Sequence, residues 1–361
     1  MDKHREEDAT ASAAGAESSE EETGSPKTRR SGSRINRVEP VWSRRRFLHE
    51  VGVSSGLAAG VALLGYVGYS RQAVREKSPE IHTLRDFRVT ADPHHPLLAV
   101  VRGQQVEAMV REAVQVLGGM QRFIQRGDTV LLKPNVGWDR QPEQAANTNP
   151  QVVAAVARLC REAGAKAVWV TDCSINDPRR SFTRSGIEAA AQEAGAEVRF
   201  PGSNDFLMTD MKGSVLKVWP VLRYFQQANK VINLPVVKQH SLSGCTLAMK
   251  NWYGVLGGQR NRLHQNIHPS IVDLAAAVRP TLTVVDATRI LLRNGPSGGS
   301  LDDVKVENTI LAGLDEVALD SWSLALLGLG ASQVPYLAMA EQHGLGKVDW
   351  RSLNWMERQV G

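Results

Sequence analysis

The sequence predicts an α/β fold, a mostly parallel sheet flanked by helices, built as a single large domain or two closely joined lobes. Three observations predict it. Short apolar runs suited to buried strands recur along the chain. Runs with apolar residues at helical spacing alternate with them, as in βαβ units. Lys, Asn or Asp follows the apolar run in several of these units, at the strand ends where open α/β sheets bind ligands.

Leu97–Val101 reads as the first strand of the domain. Val106, Met109, Val110, Ala113, Val114 and Leu117 then fall on one helix face, and Gly118-Gly119 stops it. Thr129–Leu132 is a strand ended by Lys133-Pro134-Asn135. Pro150 sits where a helix can begin, and Val152, Val153, Val156, Ala157 and Cys160 give it an apolar face closed by Gly164. Ala167–Val170 is a strand ending in Thr171-Asp172, followed by a polar loop with Arg179, Arg180 and Arg184. Ile187–Ala194 reads as helix and Val198–Phe200 as a short strand, whereas residues 201–218 carry no clear pattern. Lys230–Leu234 is a strand, Ser270–Val278 a helix, and Thr281–Val285 a strand ending in Asp286. The glycine-rich turn Asn294–Gly299, a strand at Thr309–Ala312, and helices at Glu316–Leu327 and Tyr336–His343 complete the pattern.

The N-terminal part differs. Residues 1–42 are Ala/Ser/Glu-rich and then basic, a composition that cannot bury enough apolar area to order itself, so disorder is expected. Ser43-Arg44-Arg45-Arg46-Phe47-Leu48 matches the twin-arginine export motif S-R-R-x-F-L, and the uncharged run Val51–Tyr69 follows it. Basic flank, apolar stretch and small residues make residues 43–70 a signal segment or, lacking a clear Ala-x-Ala site, an uncleaved membrane anchor. The partner implied is the twin-arginine translocase, and the location is the periplasm or the outer face of the cytoplasmic membrane. Residues 71–96 read as a linker, and 97–361 as the α/β domain.

The net charge of +5 on 361 residues is mild. Beyond residue 71, 32 of the 43 basic residues face 28 of the 38 acidic ones. This gives no reason to propose a nucleic-acid partner. Cys160, Cys173 and Cys245 lack C-x-x-C spacing, which argues against an iron–sulfur cluster or structural zinc within the chain. Cys173 and Cys245 could pair in an oxidising compartment or stay as buried thiols.

Chemistry-bearing residues are densest in Val231–Gly258, where Lys238, His240, Lys250 and Asn251 lie among Ser241–Gly244, Gly254, Gly257 and Gly258. Lys133, Lys238 and Lys250, with Arg260 and Arg262, suit a small anion such as a phosphate or carboxylate. Gly257-Gly258 could close backbone N–H groups on it. No standard nucleotide loop or nucleophile elbow is present. A divalent metal would draw on Asp172, His240 and Asp286, or on His264 and His268, although Pro269 disfavours the helix that the histidine pair would need. Lys250 could serve as a desolvated base or as a Schiff-base lysine. The bland alternative is a set of turn and capping residues with solvated lysines.

The segment INLPVVKQHSLSGCTLAMKNWYGVLGG resembles the hallmark of the domain of unknown function 362 family, roughly I-N-L-P-k-x-K-t-H, a small-residue stretch, then K-N-x-x-G. Further matches are LLKPN at 131–135 with Asn149-Pro150, HPSIVDLAAAVRPTLTVVDAT at 268–288, Asn294-Gly295-Pro296 with Gly298-Gly299, ILAGLDEVALDSWSLALLG at 310–328, and HGLG at 343–346. Gln239 stands where Thr is common. Some relatives carry a ferredoxin-like cysteine segment that is not among these residues, so a redox role would need a separate redox partner. The resemblance marks Lys133, Asn135, Asp172, Asn233, Lys238, His240, Lys250, Asn251, Asp286, Asn294 and Asp320. Lys238, His240 and Lys250 are expected to be catalytic, and Lys133, Asn135, Asn233, Asn251, Arg260 and Asn294 to bind an anionic ligand. The expectation is an exported enzyme acting on a small anionic substrate or cofactor, with or without a metal. The alternative is a membrane-associated, non-catalytic ligand-binding or redox-accessory protein.

Overall fold

The protein, a computed structural model, is described here over residues 43–73 and 80–361. The disorder expected for residues 1–42 lies outside the described residues. The chain divides into two units, one up to residue 76 and one from residue 77 to 361. The first contains helix α1 (Arg44–Ala73). Its stretch Arg44–Gly68 contains an 18-residue window of mean hydropathy 1.6 and is long and apolar enough to cross a membrane, a test that signal segments also pass.

The second unit alternates strands and helices. Its elements are β1 (His82–Thr83), β2 (Leu98–Arg102), α2 (Val106–Val116), β3 (Thr129–Pro134), α3 (Pro150–Glu162), β4 (Ala167–Val170), α4 (Pro178–Arg184), α5 (Ile187–Glu193), β5 (Glu197–Val198), β6 (Phe206–Asp210), β7 (Val218–Leu222) and α6 (Tyr224–Gln227). There follow β8 (Lys230–Leu234), β9 (Val236–His240), β10 (Gly244–Thr246), α7 (Ala248–Asn251), α8 (Ile267–Ala277), β11 (Leu282–Leu291), β12 (Val304–Gly313), α9 (Glu316–Ser323), α10 (Pro335–Gln342) and β13 (Trp355–Gln359).

The main sheet runs β13-β2-β12-β11-β8-β3-β4-β5, with β9 paired to β11 and β10 to β9. Pairing is parallel from β11 through β8, β3 and β4 to β5, and again between β13 and β2; β12 is antiparallel to both its neighbours. Side chains alternate between two faces, so each central strand feeds two cores. Leu131 and Val231 pack on one face with Trp252, Leu274 and Leu337, while Val130, Leu132 and Ile232 pack on the other with Met109, Val153 and Ile187. Helices cover both faces, the α/β arrangement expected.

Local readings differ from the structure in four places. Residues 80–96 do more than link. His82 and Thr83 pair with β6, and Phe87 is buried against Phe225, its N–H donating to Arg279 O. The unpatterned stretch 201–218 holds β6, a half-buried strand of a small separate sheet whose apolar side is shallow. The strand expected to end at Asp286 continues to Leu291, because β12 and β9 go on pairing with it. Pro269 lies inside α8, at its third residue, where a missing N–H costs no helical hydrogen bond. Phe87→Ala is expected to lower stability by about 3 kcal/mol in urea unfolding; a loss under about 1 kcal/mol would return residues 80–96 to the status of a linker.

Candidate functional site

The site begins where β3 and β4 end side by side. Lys133, the penultimate residue of β3, is fully buried and paired with Asp172, two residues beyond β4, at 2.7 Å. Its Nζ also donates to Pro134 O at 2.8 Å and to Asn251 Oδ1 at 3.1 Å. The other oxygen of Asp172 accepts from Val136 N at 2.6 Å. Burial pulls the Lys133 ammonium below its ordinary range, while Asp172 works in the opposite direction. Gly254 packs directly on this pair. A Cβ there would stand 1.8 Å from Asp172 Oδ1 and 2.6 Å from Lys133 Nζ, so only glycine lets this backbone approach.

The amides form a spine behind the lysines. Asn251 donates to Asn233 Oδ1 at 2.8 Å and to Lys133 O at 3.1 Å, and accepts from Asn135 Nδ2 at 3.0 Å. Asn233 donates to Glu316 Oε1 at 2.6 Å and to Ala248 O at 3.0 Å. Asn135 Oδ1 accepts from Lys238 Nζ at 3.0 Å, and Ala146 O accepts from the same Nζ at 2.6 Å. Glu316 and Asp320 hold the short helix α7 from below: Glu316 accepts from Trp252 Nε1, and Asp320 from the N–H groups of Ala248 and Met249. Asp320 thus caps α7 and accepts from Tyr336 Oη at 3.2 Å.

Above this spine lies a cavity of about 580 Å³, a size suited to a small ligand. Lys133, Asn135, Asp172, Lys238, His240, Lys250, Asn251 and Arg260 line it. It therefore gathers all three residues expected to be catalytic and most of those expected to bind an anion. Lys250 is 6% exposed and has no hydrogen-bond partner among the described residues; its Nζ lies 4.7 Å over the Tyr253 ring. Burial, with Arg260 adding to it, brings Lys250 down to about 8. Burial followed by the Lys250 charge brings Lys238 down to about 7. His240 Nδ1 accepts from Leu242 N at 3.1 Å and Ser243 N at 3.4 Å, which leaves the neutral ring's proton on Nε2. Burial and the Lys250 charge push it down to about 2, so it works as a neutral donor. Arg260 donates to Cys173 O, Ser174 O and Tyr253 O, joining the Asp172 loop to the segment after α7. A second cavity, of about 490 Å³, opens beside Arg279 and Asp315 but takes in none of the residues expected to be catalytic, anion-binding or metal-ligating.

Several expected residues stand elsewhere. Asn233 is wholly buried in the spine, off the cavity wall. Asn294 adopts a left-handed turn (φ 55°), donates to Asp303 Oδ2 at 2.8 Å and does not line the cavity. Asp286 lies in mid-strand, where it accepts from Asn149 N and from the N–H and hydroxyl of Thr288, fixing the start of α3. The metal set Asp172, His240 and Asp286 is therefore not brought together, and among the described residues no three His, Cys, Asp or Glu side chains converge as a metal site. His264 joins the cavity wall and stacks on His240, whereas His268 stacks on Tyr336 away from it. Arg262 is exposed. The N–H of Gly257 donates to Pro220 O and so cannot close on an anion. Gln239 holds the turn before Pro296, accepting from Gly295 N at 2.7 Å. The cysteines are free thiols. Thr246 and Tyr253 were not expected on the wall; Tyr253, between Lys250-Asn251 and Gly254, was the readable signal.

Gly254→Ala is expected to split the Lys133–Asp172 pair and cost about 3 kcal/mol. Gly137→Ala, whose added methyl would meet nothing nearer than 4.0 Å, is expected to cost under about 1 kcal/mol. Equal urea midpoints for the two variants would show that the pair does not depend on this backbone approach.

A thylakoid-associated protein of Synechocystis sp. is 29% identical over 262 residues, covering 69% of this chain and 79% of its own. Among solved structures, the lactate racemase apoprotein from Thermoanaerobacterium thermosaccharolyticum gives a TM-score of 0.37 at 10% identity, covering 66% of this chain and 58% of that one. A protein from Thermotoga maritima gives 0.34 at 11% identity, covering 65% and 59%. The chain spans less than two thirds of either solved structure, and likeness at these scores carries no chemistry. The profile of the family described as "Domain of unknown function (DUF362)" matches residues 130–325, more than half of the chain and every lysine of the cavity. The chain therefore belongs to the DUF362 family.

Proposed function

We propose that the cavity binds a small anionic substrate or cofactor and that the protein is an enzyme, with Lys238, His240 and Lys250 supplying charge and proton transfer. One observation carries this reading. Lys238 and Lys250 are buried beside one cavity, and neither has a carboxylate partner among the described residues. A buried ammonium is costly unless an opposite charge meets it. An incoming phosphate or carboxylate supplies that charge, and Lys133, already neutralised by Asp172, frames the site. Two amines that titrate near neutral pH beside a neutral histidine donor suit proton transfer to or from the bound anion.

Inorganic sulfate, whose charge is constant between about pH 6 and about pH 9, is the probe. Its binding, followed by calorimetry, is expected to tighten as pH falls through the values near 8 and 7 at which Lys250 and Lys238 gain protons. Lys250→Met and Lys238→Met are expected to weaken it at least about tenfold while keeping a native circular dichroism spectrum. Sulfate and inorganic phosphate binding these variants as they bind the parent would remove the claim.

The second reading concerns location. The apolar helix α1 behind Ser43-Arg44-Arg45 and the thylakoid association of the Synechocystis relative support a protein carried by the twin-arginine translocase. It would then be held at the outer face of the membrane or released into the periplasm. A membrane-held binding protein serving a redox partner is the non-catalytic form of this reading. Arg44→Lys with Arg45→Lys is expected to leave the protein in the cytoplasmic fraction; unchanged export on fractionation would sink the twin-arginine route.

A further inference from the structure

We infer that Lys250 is an imine-forming lysine, and that the anion taken by the cavity also carries an aldehyde or ketone carbonyl to which Lys250 Nζ adds. This rests on the anion-binding reading and names its substrate class. The three cavity lysines are held in different ways. Lys133 Nζ is tied to Asp172, Pro134 O and Asn251 Oδ1. Lys238 Nζ is tied to Asn135 Oδ1 and Ala146 O. Lys250 Nζ has no acceptor among the described residues and lies 4.7 Å over the Tyr253 ring, so no hydrogen bond from the chain ties it in place. Its helix is fixed from below by Asp320, so the amine is presented by a rigid support.

One further group on the same wall points to a missing oxygen. Thr246 lines the cavity, and its buried Oγ1 lacks a hydrogen-bond partner among the described residues. Buried hydroxyls left unpaired are uncommon in folded proteins. An oxygen on the ligand would pair Thr246 Oγ1. A desolvated lysine beside a second cation also holds its proton less tightly, here down to about 8, so a fraction of free amine is present near neutral pH.

The step balances without an oxidant or reductant. The free amine adds to the carbonyl carbon, forming a C–N bond while the carbonyl π pair moves to oxygen. A proton passes from nitrogen to that oxygen to give the carbinolamine. The hydroxyl takes a proton from solvent and leaves as water, and the nitrogen pair closes the C=N bond.

The test incubates the full chain with pyruvate, glyoxylate or glycolaldehyde phosphate, reduces with borohydride and maps the peptides by mass. The expected result is an adduct of the probe's mass less one oxygen atom, on Lys250 at least tenfold over every other lysine. It is absent in Lys250→Met and Lys250→Arg, and its formation slows in excess inorganic phosphate. Calorimetry with phosphate on the same preparation separates the two readings. Phosphate binding without a Lys250 adduct from any of the three probes overturns the imine and leaves anion binding standing. So does an adduct spread evenly over many lysines. Neither phosphate binding nor adduct overturns both.

Discussion

The site hangs on the ion pair between Lys133 and Asp172, whose side chains are 0% and 3% exposed. Removing two charges from water is expensive, and their attraction offsets that cost only when the remaining donors and acceptors are also satisfied. Here they are met by Pro134 O, Asn251 Oδ1 and Val136 N. The pair ties the end of β3 to the residues after β4, and Gly254 rests on it with no room for a side chain. Because Gly254 lies three residues after Asn251, the same contact fixes where α7 stands and hence where Lys250 is presented.

The second constraint is how the buried carboxylates are used. Glu316 is taken by Asn233, Thr283 and Trp252, Asp320 by two backbone N–H groups and Tyr336, and Asp286 by Asn149 and Thr288. None reaches Lys238 or Lys250. Burial raises all three of these acids above their ordinary range, so their hydrogen bonds hold position more than charge. The cavity therefore keeps a positive potential that the chain itself does not neutralise. The amides Asn135, Asn233 and Asn251 carry the geometry from the carboxylates below to the lysines above, which is why they stand so near the site while spending their hydrogen bonds on the protein.

Much of this was legible along the chain. Apolar runs of strand length and helical spacing gave the parallel α/β sheet, since burial on both faces demands continuous apolar strands. The polar residues at the carboxyl ends of β3, β4 and β9 converge because parallel strands put those ends on one side. The same argument misplaced Asp286. Whether β11 stops or continues depends on a pairing partner more than a dozen residues away, and no local signal records it. Asn233 and Asn294 looked like ligand-binding amides because an amide reads the same whether it faces a cavity, a buried glutamate or a turn.

By itself, the sequence determined the alternation of buried strands and helices, the apolar stretch Arg44–Gly68, the mild charge of the domain and the gathering of lysines around Val231–Gly258. These are properties of composition and period, and they survive without knowledge of contacts. Only the tertiary structure decided which lysine is neutralised, which is tethered and which is left free. Lys133, Lys238 and Lys250 are chemically identical side chains; what separates them is Asp172 beside the first, Asn135 and Ala146 O beside the second, and an aromatic face beside the third. Those neighbours come from other strands and loops, so the distinction exists only once the long-range contacts have formed.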